Sequence, residues 1–142
     1  MKIEPDLVSV IMPAHNSSRF ISESISSVLK QTYPYIELLI VDDRSTDNTL
    51  EIAKKFAKAH QNIKVIVNRC SEGGAYFARN LGLDACSGQY VAFLDSDDIW
   101  LSEKLNKQVF LMNNKKILKT IKDTIGKEIK NFKLLIYSKS YV

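Results

Sequence analysis

The chain has 142 residues, enough for one domain with a buried core. Hydrophobic residues make up 45% and charged residues 25%, a balance typical of globular proteins, and no apolar run approaches the ~20 residues that a membrane span needs. Cys70 and Cys86 lack the spacing of a zinc or disulfide motif, so both are expected to be free thiols. Glu4 and Asp6 interrupt the start before a signal peptide develops, and we therefore expect a cytoplasmic protein.

The net charge of +4 comes from one end of the chain. Residues 1–112 carry 12 basic and 14 acidic residues, a net of −2, whereas residues 113–142 carry 8 lysines against Asp123 and Glu128, a net of +6. The solvated face of a helix explains such a lysine-rich segment, so we expect no nucleic-acid partner. Peripheral contact with the anionic inner face of a membrane is an alternative that this charge allows.

Apolar runs alternate with segments of helical periodicity along most of the chain. Four continuous apolar runs, rich in β-branched residues, predict buried strands over residues 7–12, 36–41, 63–67 and 90–94. A segment with apolar residues at helical spacing follows each run, and the last one places Leu101, Leu105, Val109 and Met112 on one face. This order predicts an α/β fold with a Rossmann-like, mostly parallel sheet and helices on both faces.

Single residues predict where these elements begin and end. Pro13 is expected to stop the first strand, and Gly88 to end the third helix. Capping residues are expected before three helical segments, at Ser17–Ser18, Ser45–Thr46–Asp47 and Ser102.

The composition changes after Met112, which divides the chain into a core over residues 1–112 and a tail over residues 113–142. The tail is rich in lysine and has an isoleucine at every fourth position, at Ile117, Ile121, Ile125 and Ile129. This spacing predicts an amphipathic helix, and residues 132–137 predict a final strand.

Polar residues follow three of the four predicted strands. They are Pro13–Ala14–His15–Asn16, Asp42–Asp43 and Asp95–Ser96–Asp97–Asp98. Ligands of open parallel sheets bind beyond the carboxyl ends of the strands, so these residues are expected to meet at one edge.

The acidic residues at this edge suit a cation and a nucleotide. Asp95 and Asp97 have the carboxylate oxygens that Mg²⁺ and Mn²⁺ prefer, although aspartates are also common turn residues. Asp43 is suited to accept a hydrogen bond from a base N–H or a ribose hydroxyl. Arg79 is suited to bind phosphate oxygens, although a surface ion pair is equally consistent with its position.

Together these motifs resemble the family-2 glycosyltransferases, which have the GT-A fold. The resemblance covers about residues 7–112. It is carried by VSVIMPAHN (8–16), QTYP (31–34), ELLIVDDRSTD (37–47), the loop glycines GG (73–74), ARNLG (78–82), SGQY (87–90), FLDSDDIW (93–100) and EKL (103–105). Two positions depart from the usual pattern. His15 stands where the family usually has an aromatic residue, and Arg44 where glycine or asparagine is commoner.

The resemblance implies a role for each matching residue. Asp43 would contact the base of a nucleoside diphosphate sugar, expected to be UDP-linked, with Pro13, Ala14 and Asn16 around the nucleotide. Asp95 and Asp97 would hold Mn²⁺ or Mg²⁺, with Asp95 also near the substrate, and Arg79 would approach the diphosphate. The implied reaction is an inverting, metal-dependent transfer of the sugar to a cell-surface polysaccharide or lipid-linked acceptor.

One expected part of the family pattern has no match. Family members supply the catalytic base beyond the metal motif, but Asp123 and Glu128 lie in a lysine-rich context that does not resemble it. We therefore identify no catalytic residue and expect the acceptor half to be missing. The alternative function is a shortened module that binds a nucleotide-sugar but transfers it weakly, and the apolar surface left exposed would favour a homo-oligomer.

Overall fold

The computed structural model describes residues 6–114 and 134–137. Strands and helices alternate through them, as the sequence predicts. They are β1 (Val8–Ala14), α1 (Ile21–Leu29), β2 (Ile36–Asp42), α2 (Thr49–Ala59), β3 (Ile63–Val67), α3 (Ala75–Ala85), β4 (Tyr90–Phe93), α4 (Lys104–Met112) and β5 (Leu134–Tyr137). The predicted tail helix lies outside the described residues. None of the helices that are described has the length and hydropathy needed to cross a membrane.

The five strands form one parallel sheet in the order β3-β2-β1-β4-β5. The chain moves outward from β1 to β3 on one side and then crosses to β4 on the other side. The order therefore reverses between β1 and β4, and such a switch point opens a crevice at the carboxyl ends of the strands. The predicted fold class, a Rossmann-like parallel α/β sheet, is confirmed.

Both faces of the sheet are covered by helices. Successive side chains of a strand point to opposite faces, which explains why every residue of β1 and β2 is buried and most are apolar. Val10 and Met12 join a core with residues of α1, α2 and α4, while Ile11 joins a second core with residues of α3. Gly82 of α3 lies against Ile11, where an added Cβ would come within 2.4 Å of the isoleucine side chain.

The prediction that Pro13 stops the first strand is wrong. β1 continues to Ala14, and Pro13 is paired with Val41 of β2. The backbone of Ile11 faces β4, because its carbonyl accepts a hydrogen bond from the Leu94 N–H. The backbone nitrogen of Pro13, two residues further along the strand, faces β4 as well. Pairing with β4 ends at Ile11, so the missing N–H of proline breaks no ladder bond.

The predicted helix boundaries are also corrected. The helices begin after the predicted serine caps, and the residues directly before α1, α2 and α4 make no side-chain capping bond. Asp47, also predicted to cap α2, does accept the Thr49 N–H at 2.9 Å. The Ser17 hydroxyl instead bonds the Ser96 hydroxyl, 79 residues away. α3 ends at Ala85 rather than Gly88. Leu101, predicted on the buried face of α4, precedes the helix and is 84% exposed.

A buried carboxylate secures the amino-terminal edge of the sheet. Glu37 accepts hydrogen bonds from the Ser9 hydroxyl at 2.6 Å and from the Ser87 N–H at 2.7 Å, and it pairs with Lys64 at 3.1 Å. Burial opposes ionisation of Glu37, but these hydrogen bonds outweigh it and lower the pKa to about 2. The loop before β4 is thereby fastened to β1 and β2. Gly88 fits closely beneath it, because a Cβ there would lie 2.6 Å from the Ser9 hydroxyl.

We predict that Glu37→Gln lowers the free energy of unfolding by about 2 kcal/mol at neutral pH, the usual magnitude for a hydrogen bond to a charged group. Because the folded pKa lies below the ordinary value of 4.5, the stabilisation is present above that pH and is lost as the pH falls toward about 2. Urea denaturation across this range measures both effects. Glu51→Gln, which removes an exposed ion pair with Lys55, is the control and should change little. Equal stability of the two variants would contradict this prediction.

Candidate active site

A cavity of about 630 Å³ opens at the switch point between β1 and β4. Its volume is in the range of small-molecule sites. It is lined by the three predicted strand-end segments and by the start of α3. The lining residues are Pro13, Ala14, His15, Asn16, Ser17, Phe20, Asp43, Arg44, Gly74, Ala75, Ala78, Arg79, Asp95, Ser96 and Asp97. All of the residues predicted to bind substrate or metal thus line one cavity.

Asn16 shapes the cavity wall through the loops beside it. Its backbone has a positive φ of 47°, a conformation that asparagine tolerates better than most residues. Its side-chain oxygen accepts a hydrogen bond from the Thr46 N–H at 2.8 Å, which joins the loop after β1 to the loop after β2. His15, for which no catalytic role is predicted, bonds the Asp43 carbonyl oxygen through Nδ1 at 2.6 Å.

Asp43 is the most deeply buried acid that lines the cavity. Its Oδ2 accepts a hydrogen bond from the Gly74 N–H at 2.5 Å, and its Oδ1 accepts one from the Asn68 amide at 2.8 Å. The Arg44 Nε is 3.3 Å from Oδ1. Burial opposes ionisation, but these donors and the Arg44 charge outweigh it and hold the pKa of Asp43 below its ordinary value. Oδ2 has one protein donor and retains capacity for another.

Arg79 and Asp95 form an ion pair at the other end of the cavity. The Arg79 Nη2 and the Asp95 Oδ1 are 2.7 Å apart, and the guanidinium carbon lies 5.9 Å from the centre of the Phe93 ring. The pair is partly exposed, with 46% of the Asp95 side chain accessible. Arg79 thus makes an ion pair and also lines the cavity, and its role in binding phosphate stays a prediction.

Asp97 is exposed beside this ion pair. Among residues 6–114 and 134–137, no group of three or more His, Cys, Asp and Glu side chains is arranged to hold a metal ion. Mg²⁺ and Mn²⁺ do not require such a group, because they bind one or two carboxylates together with substrate phosphates and water. The donor set of Asp95 and Asp97 fits that mode of binding.

Sequence reasoning overlooked several residues of the site. Asn68 directly follows β3, so the rule applied to the other three strand ends would have found it. Ser96 was assigned no role, but its hydroxyl bonds Ser17 at 2.6 Å and its carbonyl accepts from Ser24 at 2.9 Å. Gly74, which the sequence places in the loop before α3 but to which no role in the site was assigned, has a φ of 104° that only glycine adopts readily.

The parallel sheet and the acid-lined cavity at its switch point define an α/β protein with a ligand-binding crevice at the carboxyl ends of its strands. The model of Glycosyl transferase family 2 matches residues 9–137. The chain belongs to this family, and the predicted resemblance is confirmed.

One similar curated protein is the Escherichia coli UDP-Glc:alpha-D-GlcNAc-diphosphoundecaprenol beta-1,3-glucosyltransferase WfgD. It is 50% identical over 106 residues, which are 75% of this chain and 41% of WfgD. The chain thus spans less than half the length of this relative.

Two solved glycosyltransferases have the same fold. S. aureus TarS in complex with UDP-GlcNAc is 37% identical, with a TM-score of 0.70 over 75% of this chain and 31% of TarS. The mannosyltransferase PcManGT from Pyrobaculum calidifontis, in complex with GDP-Man and Mn²⁺, is 26% identical, with a TM-score of 0.71 over 80% of this chain and 34% of PcManGT. The GT-A fold expected from the sequence is confirmed.

We predict that Asp43→Ala destabilises the protein even without a ligand. The substitution leaves the Gly74 N–H and the Asn68 amide without their acceptor, which should cost about 1–3 kcal/mol. Chemical denaturation gives the change in the free energy of unfolding. Asp84→Ala, on the exposed side of α3, is the matched control. A loss no larger than that of the control would show that the Asp43 contacts contribute nothing to folding.

Proposed function

We propose that the cavity binds a nucleoside diphosphate sugar and that the protein transfers its sugar to an acceptor. The observation that carries this proposal is the separation of two chemistries within one cavity. A buried carboxylate with free acceptor capacity, Asp43, lies at one end, and the Arg79–Asp95 ion pair with the exposed Asp97 lies at the other. The first end suits a base with a ring N–H, and the second suits a diphosphate with its counter-cation.

The base and ribose would occupy the end formed by Pro13, Ala14, Asn16 and Asp43. The diphosphate would lie beside Arg79, at the end of the cavity away from Asp43, because the Gly74 N–H at the start of α3 already bonds the Asp43 carboxylate. The Arg79 guanidinium would donate a hydrogen bond to a phosphate oxygen, and its ion pair with Asp95 would weaken as a result. A hydrogen bond from arginine to phosphate is charge-assisted and therefore strong. Asp95 would then be available to the metal and the substrate.

Asp95 and Asp97 would hold Mn²⁺ or Mg²⁺, with Asp97 the more direct ligand. A bound cation would neutralise negative charge on the diphosphate as it leaves. The role of these residues is to fix that charge beside the diphosphate, and the role of the buried Asp43 network is to hold the base at a defined distance from it. The complex of PcManGT with GDP-Man and Mn²⁺ supports the binding of a nucleotide-sugar together with a cation.

A lipid-linked sugar as the acceptor agrees with the name of WfgD, and a cell-surface polysaccharide is the alternative acceptor. We place the reaction on the cytoplasmic side of a membrane, with peripheral contact, and we propose inversion at the transferred carbon. Within the described residues, the cavity contains no carboxylate besides Asp43, Asp95 and Asp97. This supports a second candidate function, a module that binds the donor without transferring the sugar. Acceptor-dependent release of UDP would distinguish the two.

The metal assignment predicts that donor binding depends on a divalent cation. Asp97→Ala should weaken the binding of a UDP-sugar at least tenfold, about 1.4 kcal/mol, because a ligand that joins the cation to the protein is lost. Isothermal titration in Mn²⁺ and in EDTA measures the effect. Asp84→Ala is again the control. Equal affinities in Mn²⁺ and in EDTA would rule out a bridging cation.

The base assignment predicts a preference for UDP over ADP. The Asp43 carboxylate can accept the ring N–H of uracil, whereas the corresponding edge of adenine has a ring nitrogen without hydrogen. Guanine has an equivalent N–H, so GDP is an allowed ligand. We expect UDP to bind at least about tenfold more tightly than ADP, the usual penalty for an unmade bond to a charged acceptor. A calorimetric ranking with ADP above UDP would contradict the role of Asp43.

A further inference from the structure

We propose that Arg44 is a base-reading residue, which donates a hydrogen bond to the carbonyl oxygen next to the ring N–H that Asp43 accepts. This inference rests on the proposed function, because it assumes that the base lies at the Asp43 end of the cavity. It adds a specificity-determining side chain at a position where the usual family pattern has glycine or asparagine.

The backbone of Arg44 is in an unfavourable conformation. Its φ is 57°, in the left-handed region that favours glycine and that costs other residues of order 1 kcal/mol. Glycine at this position would avoid the cost. The surrounding structure holds an arginine there instead, and strained positions of this kind cluster at ligand sites.

Two contacts fix the guanidinium beside Asp43. The Arg44 Nε lies 3.3 Å from the Asp43 Oδ1, and its Nη1 donates to the Ser71 carbonyl oxygen at 3.0 Å. The third nitrogen, Nη2, lies over Gly73, where an added Cβ would be only 1.7 Å away. Gly73 therefore leaves the space that the guanidinium fills. Two segments thus adapt to the Arg44 side chain: the turn after β2 holds its backbone at a positive φ, and the loop before α3 has a glycine beneath its guanidinium.

The result is a donor next to an acceptor on the cavity wall. Nη2 has no hydrogen-bond partner among the described residues, and 48% of the Arg44 side chain is exposed. Within the described part of the chain, the Asp43 Oδ2 accepts a hydrogen bond from the Gly74 N–H alone. Uracil presents a ring N–H flanked by carbonyl oxygens, which is the complement of this pair. Arginine also has the rigid fork that directs two or more donors at once, which lysine lacks.

A purely structural role would give a different result. If Arg44 only fastened Ser71 and Asp43, its loss would weaken every nucleotide to the same extent. If Nη2 donates a hydrogen bond to a carbonyl oxygen of the base, the affinity of a variant without Nη2 would no longer depend on that oxygen. Replacing a single oxygen of uracil with sulfur tests this, because sulfur is a weak acceptor.

The experiment measures the affinities of UDP, 2-thio-UDP and 4-thio-UDP, with Mn²⁺, for the wild type and for Arg44→Met. Methionine keeps the bulk of the side chain and the same backbone cost but has no donor, so a steric effect of sulfur would persist in the variant. If Arg44→Met does not fold, Arg44→Gly takes its place in the experiment, because glycine adopts the positive φ of this position without strain. Arg69→Met, at an exposed arginine in the next loop, is the matched control.

We expect the wild type and Arg69→Met to bind UDP about tenfold more tightly than one of the two thio analogues. In the Arg44 variants this ratio should fall below about twofold. Tight binding of UDP with no discrimination against either analogue, or with the same ratio in Arg44→Met, would overturn the role of Arg44 and leave the proposed function standing. No binding of UDP or GDP by the wild type would overturn the proposed function itself.

Discussion

The carboxylate of Asp43 joins three separate parts of the chain at the edge of the sheet where a ligand would bind. It follows β2, accepts the Asn68 amide from the end of β3, and accepts the N–H of Gly74 at the start of α3. Because the donors outweigh the cost of burial, Asp43 stays ionised and the start of α3 stays at the cavity. These contacts of Asp43 fix the start of α3, which carries Arg79, and the turn after β2, which carries Arg44.

Much of the fold follows from local sequence. Continuous apolar runs form strands that are buried on both faces, and their polar endings meet at one edge because all the strands are parallel. For the same reason the residues proposed from the strand ends, from Pro13 to Asp97, line a single cavity. Arg79 was also found, because its spacing from Gly74 places it one turn into the following helix.

The features that sequence reasoning missed depend on distant partners. Ser17 looks like a helix cap, but its hydroxyl bonds Ser96 across the sheet. Pro13 looks like a strand terminator, but its nitrogen faces a side where pairing has already ended. The fit of Arg44 over Gly73 joins positions 29 apart and has no local signature. Such contacts appear only when the topology is known.

The central claim is that the carboxyl edge of the sheet, at the β1–β4 switch point, binds the donor. Backbone amide chemical shifts of the ¹⁵N-labelled protein, measured while a UDP-sugar and diamagnetic Mg²⁺ are added, test it most directly. The account predicts the largest changes at Asn16, Gly74 and Asp97, with no change at Glu37 and Gly88 on the opposite edge. Changes concentrated at Glu37 and Gly88, or no changes at saturating donor, would contradict it.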